Sequence, residues 1–553
     1  MAEGSDTAHA DVAEKPTDSS AFAPFKTRAF LVLWIATVVG NAGGWIRDTA
    51  SAWLMTDLSP SPLTVSLVQA AATLPVFLLS LPAGALADIV DRRKMMIAIQ
   101  IGLAVVTVGL AVTTMVGAMT PAILVGFTLL SGVGVALSGP VWQSIVPELV
   151  PRSVLKPAVA LNSLGVNISR AIGPAVGGAI ILGAGVAAAY WLDLATYAVT
   201  LAALIWWRRA PTVQSRPEHL GGAVQAGVRY ALASAPLRRV LLRAVLFFTP
   251  ASCYWALLPL ISRNEIGGGA GVYGILLAAV GAGAVAGALI MPRLRHALSD
   301  ERLSLLGVVV TALATGSLAF VDTVFAGAAA LACAGAAWIM VLTSLNGAAQ
   351  AVLPNWVRGR GLAVYLMAFF GTMTAGSLAW GQLASLASLD TALIVAAAAG
   401  LVSAGLALFV QLPAGDADLT PSQIWPQPTV ATDVDARSGP ILVTITYRVA
   451  PADLAAFSDA ARALSVIRRR DGAYRWGLMS DAADPENVTE WFLVGSWEEH
   501  LRQHDRSVAA DAIVIQRVRD FHIGAAAPTV NHLVPIGHAV PGNSKSHLHG
   551  SAP

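Results

Sequence analysis

The sequence predicts an all-α membrane protein with twelve transmembrane helices, followed by a small α+β domain. Of its 553 residues, 56% are hydrophobic and only 12% are charged, whereas a soluble protein carries about 25% charged residues. Twelve apolar runs lie between Arg28 and Gln411, and each is long enough to cross a hydrocarbon core of about 30 Å as a helix. After Gln411 the chain becomes polar, which indicates a separate soluble part.

Turn-forming residues separate the apolar runs, for example Pro60 and Pro62 before the second run and the glycines at 267–269 before the eighth. The tripeptide Gly-Ala-Leu at 84–86 returns at 287–289, as expected for two six-helix halves that repeat each other. The predicted spans are 29–56, 62–87, 94–116, 121–144, 156–182, 186–207, 239–262, 270–292, 303–321, 325–350, 361–386 and 389–411.

Positively charged residues lie in one set of alternate loops. Lys and Arg stay on the cytoplasmic side of a membrane protein, and the opposite set of loops contains only Arg263. Both termini and the longest central loop are therefore predicted to be cytoplasmic. The formal net charge of +2 and the placement of the basic residues in loops give no indication of nucleic-acid binding.

The soluble part predicts a ferredoxin-like α+β sandwich, because strands and helices follow in a βαββα order within a short segment. The predicted strands are 441–449, 474–480 and 490–497, and the predicted helices are 451–470, 498–506 and 509–521. The predicted parts of the whole chain are a disordered cytoplasmic tail (1–25), an N-terminal six-helix half (26–208), a cytoplasmic central loop (209–238), a C-terminal six-helix half (239–411), a linker (412–439), a soluble α+β domain (440–525) and a flexible tail (526–553).

A short charged hinge follows the second span. Its sequence at 84–94, Gly-Ala-Leu-Ala-Asp-Ile-Val-Asp-Arg-Arg-Lys, resembles the loop between helices 2 and 3 of the major facilitator superfamily. The resemblance implies a transporter whose substrate cavity lies between two halves of six helices and is exposed to each side in turn.

The same resemblance implies a conformational latch made by Gly84, Asp88, Arg92, Arg93 and Arg360. The acid that matches Asp88 lies against the start of helix 11 in the family, where unpaired N–H groups favour a carboxylate. The residues Ile and Asp that follow at 89 and 91 depart from the family pattern, which has a basic residue and glycine there. The alternative is that these charges only anchor a loop in the cytoplasm.

The fifth span contains a motif that resembles the antiporter motif of exporters in this superfamily. It is Gly-Pro-Ala-Val-Gly-Gly at 173–178, with Gly173, Pro174, Gly177 and Gly178 as its key residues. Glycines let a neighbouring helix approach closely, and the proline bends the helix. The resemblance implies export, while the plain structural interpretation is tight helix packing.

Four polar residues within the spans are candidates for the substrate or proton pathway. Arg170 lies deep in the fifth span, where an ionisable residue is costly and faces an internal cavity or a partner. It is predicted to contact an anionic substrate or to pair with an acidic residue. Asn41 and Asp48 in the first span and Asp193 in the sixth are the other candidates, and Asp48 could instead be an interfacial anchor. No Walker-type phosphate loop is present, so a proton gradient is the expected energy source.

The segment Ser-Trp-Glu-Glu-His-Leu-Arg-Gln-His-Asp-Arg at 496–506 resembles the tail of the facilitator subgroup that contains the enterobactin exporter and related secretion proteins. The soluble domain also resembles that of antibiotic-biosynthesis monooxygenases, which implies possible dimerisation. His500 and His504 are four apart on a helix and could bind a metal on one face. No further ligand set completes such a site, so exposed structural histidines, no metal and no cofactor are predicted.

The sequence therefore predicts a proton-coupled exporter of a small molecule, such as a siderophore, an antibiotic or another secondary metabolite, rather than an enzyme. The resemblance implies that it lies in a bacterial inner membrane. Two alternatives stay open: an importer of the same fold, and a membrane-anchored enzyme or ligand-sensing protein that acts through its C-terminal domain.

Overall fold

The twelve predicted spans are confirmed as helices in a computed structural model of the chain, and a four-stranded sheet follows them. The structure describes residues 20–208, 220–422 and 434–535. Most of the predicted N-terminal tail and parts of the predicted central loop, linker and C-terminal tail lie outside these residues. The chain forms two compact units, of which the second contains residues 221–240, 348–362 and 413–553 and the first contains the rest.

The N-terminal half is built from six helices, as predicted. A long apolar segment forms a helix in lipid because this satisfies every backbone polar group within the segment. Large side chains such as Phe30, Leu33 and Ile145 fill the interior of this half. The helices are α1 (Arg28–Leu58), α2 (Pro62–Ile89), α3 (Arg92–Met115), α4 (Pro121–Leu149), α5 (Leu155–Ala184) and α6 (Val186–Trp206).

A short helix, α7 (Leu220–Ala233), precedes the second half. The sequence prediction places a loop at 209–238, and it missed α7 because a 14-residue helix is shorter than the roughly 20 residues that mark a membrane span. The six long helices that follow are α8 (Ala235–Leu260), which continues as a π-helical turn (Ile261–Glu265), α9 (Ala270–Ala297), α10 (Asp300–Ser317), α11 (Val324–Ala351), α12 (Arg358–Leu386) and α13 (Leu389–Ala407).

Side-chain caps begin several of these helices. Asp91 Oδ1 accepts a hydrogen bond of 2.8 Å from the backbone N–H of Lys94 at the start of α3. Ser388 Oγ accepts one of 3.1 Å from Thr391 at the start of α13. Such caps satisfy N–H groups that have no partner inside the helix. Asp91 therefore has a structural reason for its place in the hinge.

The second unit contains an antiparallel sheet in the order β2-β3-β1-β4. Alternate residues of β1 and β3, such as Val443 and Phe492, are buried together with Phe457 of α14 in a core on one face of the sheet. The elements are β1 (Ile441–Arg448), α14 (Leu454–Asp471), β2 (Arg475–Ser480), β3 (Asn487–Val494), α15 (Trp497–Arg506), α16 (Asp511–Arg519) and β4 (Thr529–Leu533).

Two sequence predictions for the soluble part differ from the structure. Strand β3 lies three residues earlier than predicted, because Glu490 is a buried residue inside the strand and accepts a hydrogen bond of 3.1 Å from Arg468 Nε. Strand β4 lies in the segment predicted as a flexible tail. Its polar residues give a weak strand pattern, and its position depends on pairing with β1, where Leu533 lies opposite Leu442.

Candidate functional site

A cavity of about 330 Å³, called the central cavity, lies between the two six-helix halves. Its walls come from α1, α2, α4 and α5 of the first half and from α8, α9, α11 and α12 of the second. The charged residues in the wall are Arg47, Asp48 and Arg170. A mainly apolar cavity with a few charged and polar groups, shared by two halves of a helix bundle, is the arrangement that a substrate site requires.

A second cavity of about 430 Å³ lies among the helices of the N-terminal half. It shares Trp45, Arg47 and Asp48 with the central cavity. Asn41, one of the predicted pathway residues, lies in its wall together with Gln100. The two cavities therefore meet at Arg47 and Asp48, which places this ion pair between them.

Arg47 lies at the centre of a group that we call the charged triad, formed with the half-exposed Asp48 and the buried Asp193. Asp48 Oδ1 accepts hydrogen bonds from Arg47 Nε at 3.2 Å and Nη2 at 3.0 Å. Nη1 of Arg47 lies 3.5 Å from Asp193 Oδ2 and donates a 2.5 Å bond to the hydroxyl of Tyr197. The triad thus joins α1 to α6 within the first half.

Asp193 is fully buried, and its two carboxylate oxygens have different surroundings. Oδ2 accepts a hydrogen bond of 3.0 Å from Thr107, whereas Oδ1 has no hydrogen-bond donor among the described residues. Gly43 of α1 explains how the helices come so close, because a Cβ at this position would lie only 2.7 Å from Asp193 Oδ1.

The triad contains two acids and one base, so with all three ionised its net charge is −1. An uncompensated charge in a buried site is costly. A proton on Asp193 Oδ1 would remove this charge, and a neutral carboxyl group costs less to bury than an ionised one. The arrangement can therefore hold a proton at Asp193 without breaking the pair between Arg47 and Asp48.

Arg170 enters the central cavity from α5, with its guanidinium carbon 5.6 Å from the ring centre of Trp45. Within the described residues its Nε is buried without a hydrogen bond, and no acidic group lies within ion-pair distance of the side chain. The sequence offered two interpretations of Arg170, contact with an anionic substrate and an ion pair with an acidic residue. The ion pair is not formed among the described residues.

The two halves meet at the end of the bundle where α1 finishes, which we call the Asp57 end. Arg263 Nη1 donates to Asp57 Oδ1 at 2.7 Å and to Thr56 Oγ1 at 3.0 Å. The backbone N–H of Leu63 donates to Ser385 Oγ at 2.9 Å. These contacts join the first half to the second, so the central cavity is closed at this end.

The glycines of the fifth-span motif lie at helix crossings. A Cβ on Gly173 would lie 2.6 Å from Cβ of Trp45 on α1, and one on Gly177 would lie 3.3 Å from Cα of Ile46. A Cβ on Gly178 would lie 2.8 Å from Cα of Gly274 on α9. Pro174 lies inside α5 and is buried. The motif therefore packs α5 against α1 and also against α9 of the second half.

Two arginines of the hinge are bound within the first half. Arg92 Nη1 donates to Glu148 Oε1 at 2.6 Å, and Arg93 Nε donates to the carbonyl oxygen of Leu204 at 2.8 Å. These bonds tie the start of α3 to α4 and α6, and they hold the hinge within its own half.

The other residues of the predicted latch are Asp88, Gly84 and Arg360. The side chain of Asp88 lies outside the described residues, so its role as a latch stays a prediction. A Cβ on Gly84 would meet no described atom within 4 Å. Arg360 belongs to the second compact unit.

Three histidines cluster in the second unit. The ring centres of His500 and His504 are 5.0 Å apart, and those of His500 and His532 are 4.7 Å apart. The prediction that the helix histidines are exposed is wrong for His500, which is only 3% exposed because Trp497 and the unpredicted strand β4 cover it. In the described ranges, no three His, Cys, Asp or Glu residues are arranged to hold a metal.

This cluster predicts a loss of stability in acid. Burial and the neighbouring histidines lower the pKa of His500 to about 3, while an unfolded chain has a histidine pKa of about 6.5. Below about pH 6.5, His500 therefore binds a proton in the unfolded state but not in the folded state. This lowers the free energy of unfolding by roughly 2 kcal/mol at pH 5. Burial raises the pKa of Asp471 to about 6, so this group stabilises the fold as the pH falls.

A comparison of variants isolates the contribution of His500. Replacing His500 with glutamine is expected to remove its share of the acid sensitivity and leave that of Asp471. Pulse proteolysis of the purified full-length protein in urea, at pH 7 and pH 5, measures the stability of the sheet domain. A wild-type protein that loses no more stability than His500→Gln over this interval would contradict the prediction.

Some residues of the site gave no signal in the sequence. Tyr197 and Thr107 are common residue types in membrane helices, and their contact with the triad depends on which way α3 and α6 face. The closure of the Asp57 end did have a signal, because Arg263 is the only base in the loops on its side and needs a nearby acid such as Asp57.

Solved structures with a similar fold are membrane transporters. A nucleoside transporter aligns with a TM-score of 0.59 over 69% of this chain and 99% of that one, at 11% identity. A bacterial homologue of the human lysosomal transporter Spinster, inward-facing and unoccupied, aligns with a TM-score of 0.56 over 70% and 97%, at 13% identity. The fold and the cavity therefore define a multi-pass membrane protein with the major facilitator fold.

The profile of the transmembrane secretion effector family matches residues 19–539, and the chain belongs to this family. The staphyloferrin A transporter of Staphylococcus aureus is 22% identical over 254 residues, which are 45% of this chain and 64% of the relative. The enterobactin exporter of Salmonella typhimurium is 29% identical over 262 residues, or 47% and 62%. The match thus spans less than two thirds of either relative. The family and these relatives are transporters rather than enzymes.

Proposed function

We propose that the chain is a secondary active transporter that moves a small molecule by alternating access. The observation that carries this proposal is the central cavity, which both halves line and which is closed at the Asp57 end. Such a cavity opens to the other side when one half rocks against the other. The names of the two relatives favour a siderophore or another secondary metabolite as the substrate.

The proposed direction is export, and the proposed coupling ion is the proton. The resemblance of the fifth-span motif to that of exporters supports the direction. The buried Asp193, with one carboxylate oxygen that lacks a donor among the described residues, supports proton coupling. In this cycle Asp193 takes up a proton from one side and releases it to the other as the substrate moves in the opposite direction.

Transport into inside-out membrane vesicles tests this function. Acidifying the vesicle interior is expected to drive uptake of an exported substrate, and a protonophore is expected to stop it. Staphyloferrin A and enterobactin are the first two substrates to measure, each against vesicles that contain Asp193→Asn. Accumulation in right-side-out vesicles, with none in inside-out vesicles, would mean import by the same fold.

The proposed orientation places both termini and the second compact unit in the cytoplasm of a bacterial cell. The distribution of basic loop residues supports it. Together with this orientation, we propose that Gly84, Asp88, Arg92, Arg93 and Arg360 act as the conformational latch on the cytoplasmic side. A cysteine at position 268 is expected to react with an impermeant reagent in intact cells, while one at position 296 is expected to stay unlabelled.

The soluble sheet is proposed to be a ferredoxin-like sandwich that pairs with a second copy. The order β2-β3-β1-β4 with antiparallel neighbours supports the fold. The face of the sheet away from its core carries Trp491 and Leu493, and at its edges Met479 and Leu533 are more than half exposed. Burial of this apolar surface would favour association. Met479→Glu is expected to convert dimers into monomers in sedimentation of the detergent-solubilised protein.

A further inference from the structure

We propose that the central cavity selects an anion that carries a flat aromatic group. The proposal rests on the transport function proposed above and names the class of its substrate. It depends on three features of the cavity wall: two buried donors without acceptors, a positive charge without an acidic partner among the described residues, and a continuous row of aromatic rings.

The two donors are Arg170 and Trp255, both in the wall of the central cavity. Arg170 Nε and Trp255 Nε1 are buried and make no hydrogen bonds among the described residues. A buried donor without an acceptor is costly, and a charged side chain within a membrane bundle normally has a partner. A carboxylate has about four acceptor positions on two oxygens, so an anion in the cavity would supply the kind of acceptor that these donors lack.

The charges in the wall favour an anion over a cation. The wall contains two arginines and one aspartate. Arg47 is paired with Asp48 and with Asp193 behind it, so the positive charge without an acidic partner among the described residues is that of Arg170. The single acid, Asp48, already accepts two hydrogen bonds from Arg47. A cationic ligand would therefore find its only acid occupied, whereas an anion would neutralise the excess charge on Arg170.

An aromatic row lies beside these donors. Trp255 is 6.5 Å from Trp45 and 5.6 Å from Trp338, and Trp338 is 6.1 Å from Phe369, measured between ring centres. Aromatic rings at such distances attract one another edge to face or offset, and a flat ligand ring can join the row. A volume of about 330 Å³ lies near the lower end for ligand sites, which suits one or two fused rings.

Binding of three matched probes tests the selection. The full-length protein in lipid nanodiscs is titrated with 1-naphthoate, with the neutral 1-naphthamide and with the non-aromatic cyclohexanecarboxylate, by calorimetry. Naphthoate is expected to bind at least about tenfold more tightly than either other probe. Equal binding of naphthamide, or of cyclohexanecarboxylate, would overturn the proposal.

Variants assign the selection to Arg170. Arg170→Gln is expected to weaken naphthoate binding at least about tenfold and to leave naphthamide unchanged, while Arg170→Lys keeps part of the preference. Arg295→Gln is the matched control, since Arg295 is exposed and pairs with Asp300 at the surface. Unchanged naphthoate binding by Arg170→Gln would assign the anion site elsewhere and overturn the proposal.

Vesicle transport separates this proposal from the transport function itself. Selective naphthoate binding without proton-driven uptake would support the anion site and contradict the coupling to protons. Proton-driven uptake of naphthamide equal to that of naphthoate would support transport and overturn the anion selection.

A different group of contacts, all within the second compact unit, carries an independent proposal. Arg229 of α7 donates to Glu499 Oε1 of α15 at 2.8 Å. Arg506 donates to both oxygens of the same carboxylate, at 2.7 and 3.1 Å. Burial by itself raises the pKa of Glu499, but the bonds to Arg506 and Arg229 outweigh it and hold the pKa below its usual value.

The same cluster extends to the connection between α11 and α12. The guanidinium carbon of Arg506 lies 4.8 Å from the ring centre of Trp356 in that connection. Trp356 packs edge to face on Tyr230 of α7 at 5.8 Å, and the Tyr230 hydroxyl donates to the carbonyl oxygen of Val352 at 2.9 Å. Helix α15, helix α7 and the connection 352–357 thus form one packed group, which we call the α15 clamp.

We infer that the α15 clamp holds the α11–α12 connection in place and so controls how fast the transporter changes conformation. The connection is continuous in sequence with α11 and α12, and any movement of their ends must carry it along. The ion pair between α7 and α15, and the contact of Arg506 with Trp356 of the connection, must break or move with it. The soluble domain therefore acts as a brake on the membrane helices rather than as a separate enzyme.

Hydrogen exchange of the full-length protein tests the clamp. Glu499→Gln is expected to speed exchange at least about tenfold in residues 348–362, because it leaves two arginines without their anion. Glu498→Gln is the matched control, since Glu498 is an exposed neighbour that pairs with Arg502 on the same helix.

The maximal transport rate is a second measurement. It would not change if the substitution only made residues 348–362 more mobile. Glu499→Gln is expected to change the maximal transport rate at least about twofold while KM stays unchanged. An unchanged rate with faster exchange would assign a structural role only and overturn the brake. Equal effects from Glu498→Gln would overturn the clamp itself.

Discussion

Replacing Gly178 with valine is expected to abolish transport by preventing the Asp57 end from closing. A Cβ at Gly178 would lie 2.8 Å from Cα of Gly274 and 2.9 Å from the carbonyl oxygen of Ala270. These are backbone atoms of α9 and cannot rotate away. Overpacking typically costs 1–3 kcal/mol, so the ratio of closed to open molecules is expected to fall between about fivefold and about 160-fold. The distance between spin labels at the ends of α1 and α8 measures the opening.

Gly183→Val is the matched control for this variant. Gly183 lies on the same helix, and a Cβ there would meet no described atom within 4 Å, so the variant carries the same loss of glycine without a clash. Transport by Gly183→Val is expected to stay close to that of the wild type. Normal closure and normal transport by Gly178→Val would show that the two halves do not meet at this crossing.

The sequence predicts the helices well because their signal is local. A run of apolar residues as long as the bilayer is thick has few other stable arrangements, and all twelve spans were found from this property. The fifth-span motif was found as well, but its partner Gly274 was not. The contact joins two distant parts of the chain, and nothing in the surroundings of Gly274 distinguishes it from the other glycines of α9.

The candidate site could be predicted only in pieces. Asp48, Arg170 and Asp193 were identified because an ionisable residue inside a span is costly and needs a function or a partner. Their grouping depends on the rotation of each helix about its axis. These helices are apolar on all faces, so their sequences do not show which face points inward. The contact between Arg47 and Asp193 could therefore be found only in the structure.

The errors in the soluble part have a different cause. Glu490 and His500 are polar residues in a packed core, and sequence patterns place such residues at the surface. Both are buried because a partner elsewhere in the chain covers or pairs with them: Arg468 for Glu490 and strand β4 for His500. A short edge strand such as β4 is itself defined by its neighbour.

Substitutions of different triad residues are expected to change the thermal stability of the protein in different directions. Arg47→Gln leaves the buried Asp193 and the half-exposed Asp48 without their base, and removing one partner of a buried pair typically costs 3–5 kcal/mol. Asp193→Asn instead removes the excess negative charge and keeps the pair between Arg47 and Asp48. The expected order of thermal stability in detergent is therefore Asp193→Asn at or above the wild type, with Arg47→Gln far below both.

Asp193→Asn is expected to abolish proton-driven accumulation while the exchange of substrate across the membrane continues. An asparagine has nearly the same shape as a protonated aspartate and can accept the bond from Thr107, so the cavity keeps its form. The asparagine cannot bind or release a proton. Because it resembles the protonated aspartate at all times, the conformational change no longer depends on protonation. Uptake driven by a pH gradient should fall to the level of vesicles without the protein, and counterflow of labelled substrate should persist. Asp300→Asn is the control, because Asp300 is exposed and pairs with Arg295 at the surface, far in sequence from the triad. If Asp193→Asn still accumulated substrate against a gradient, the proton would have to travel by another group.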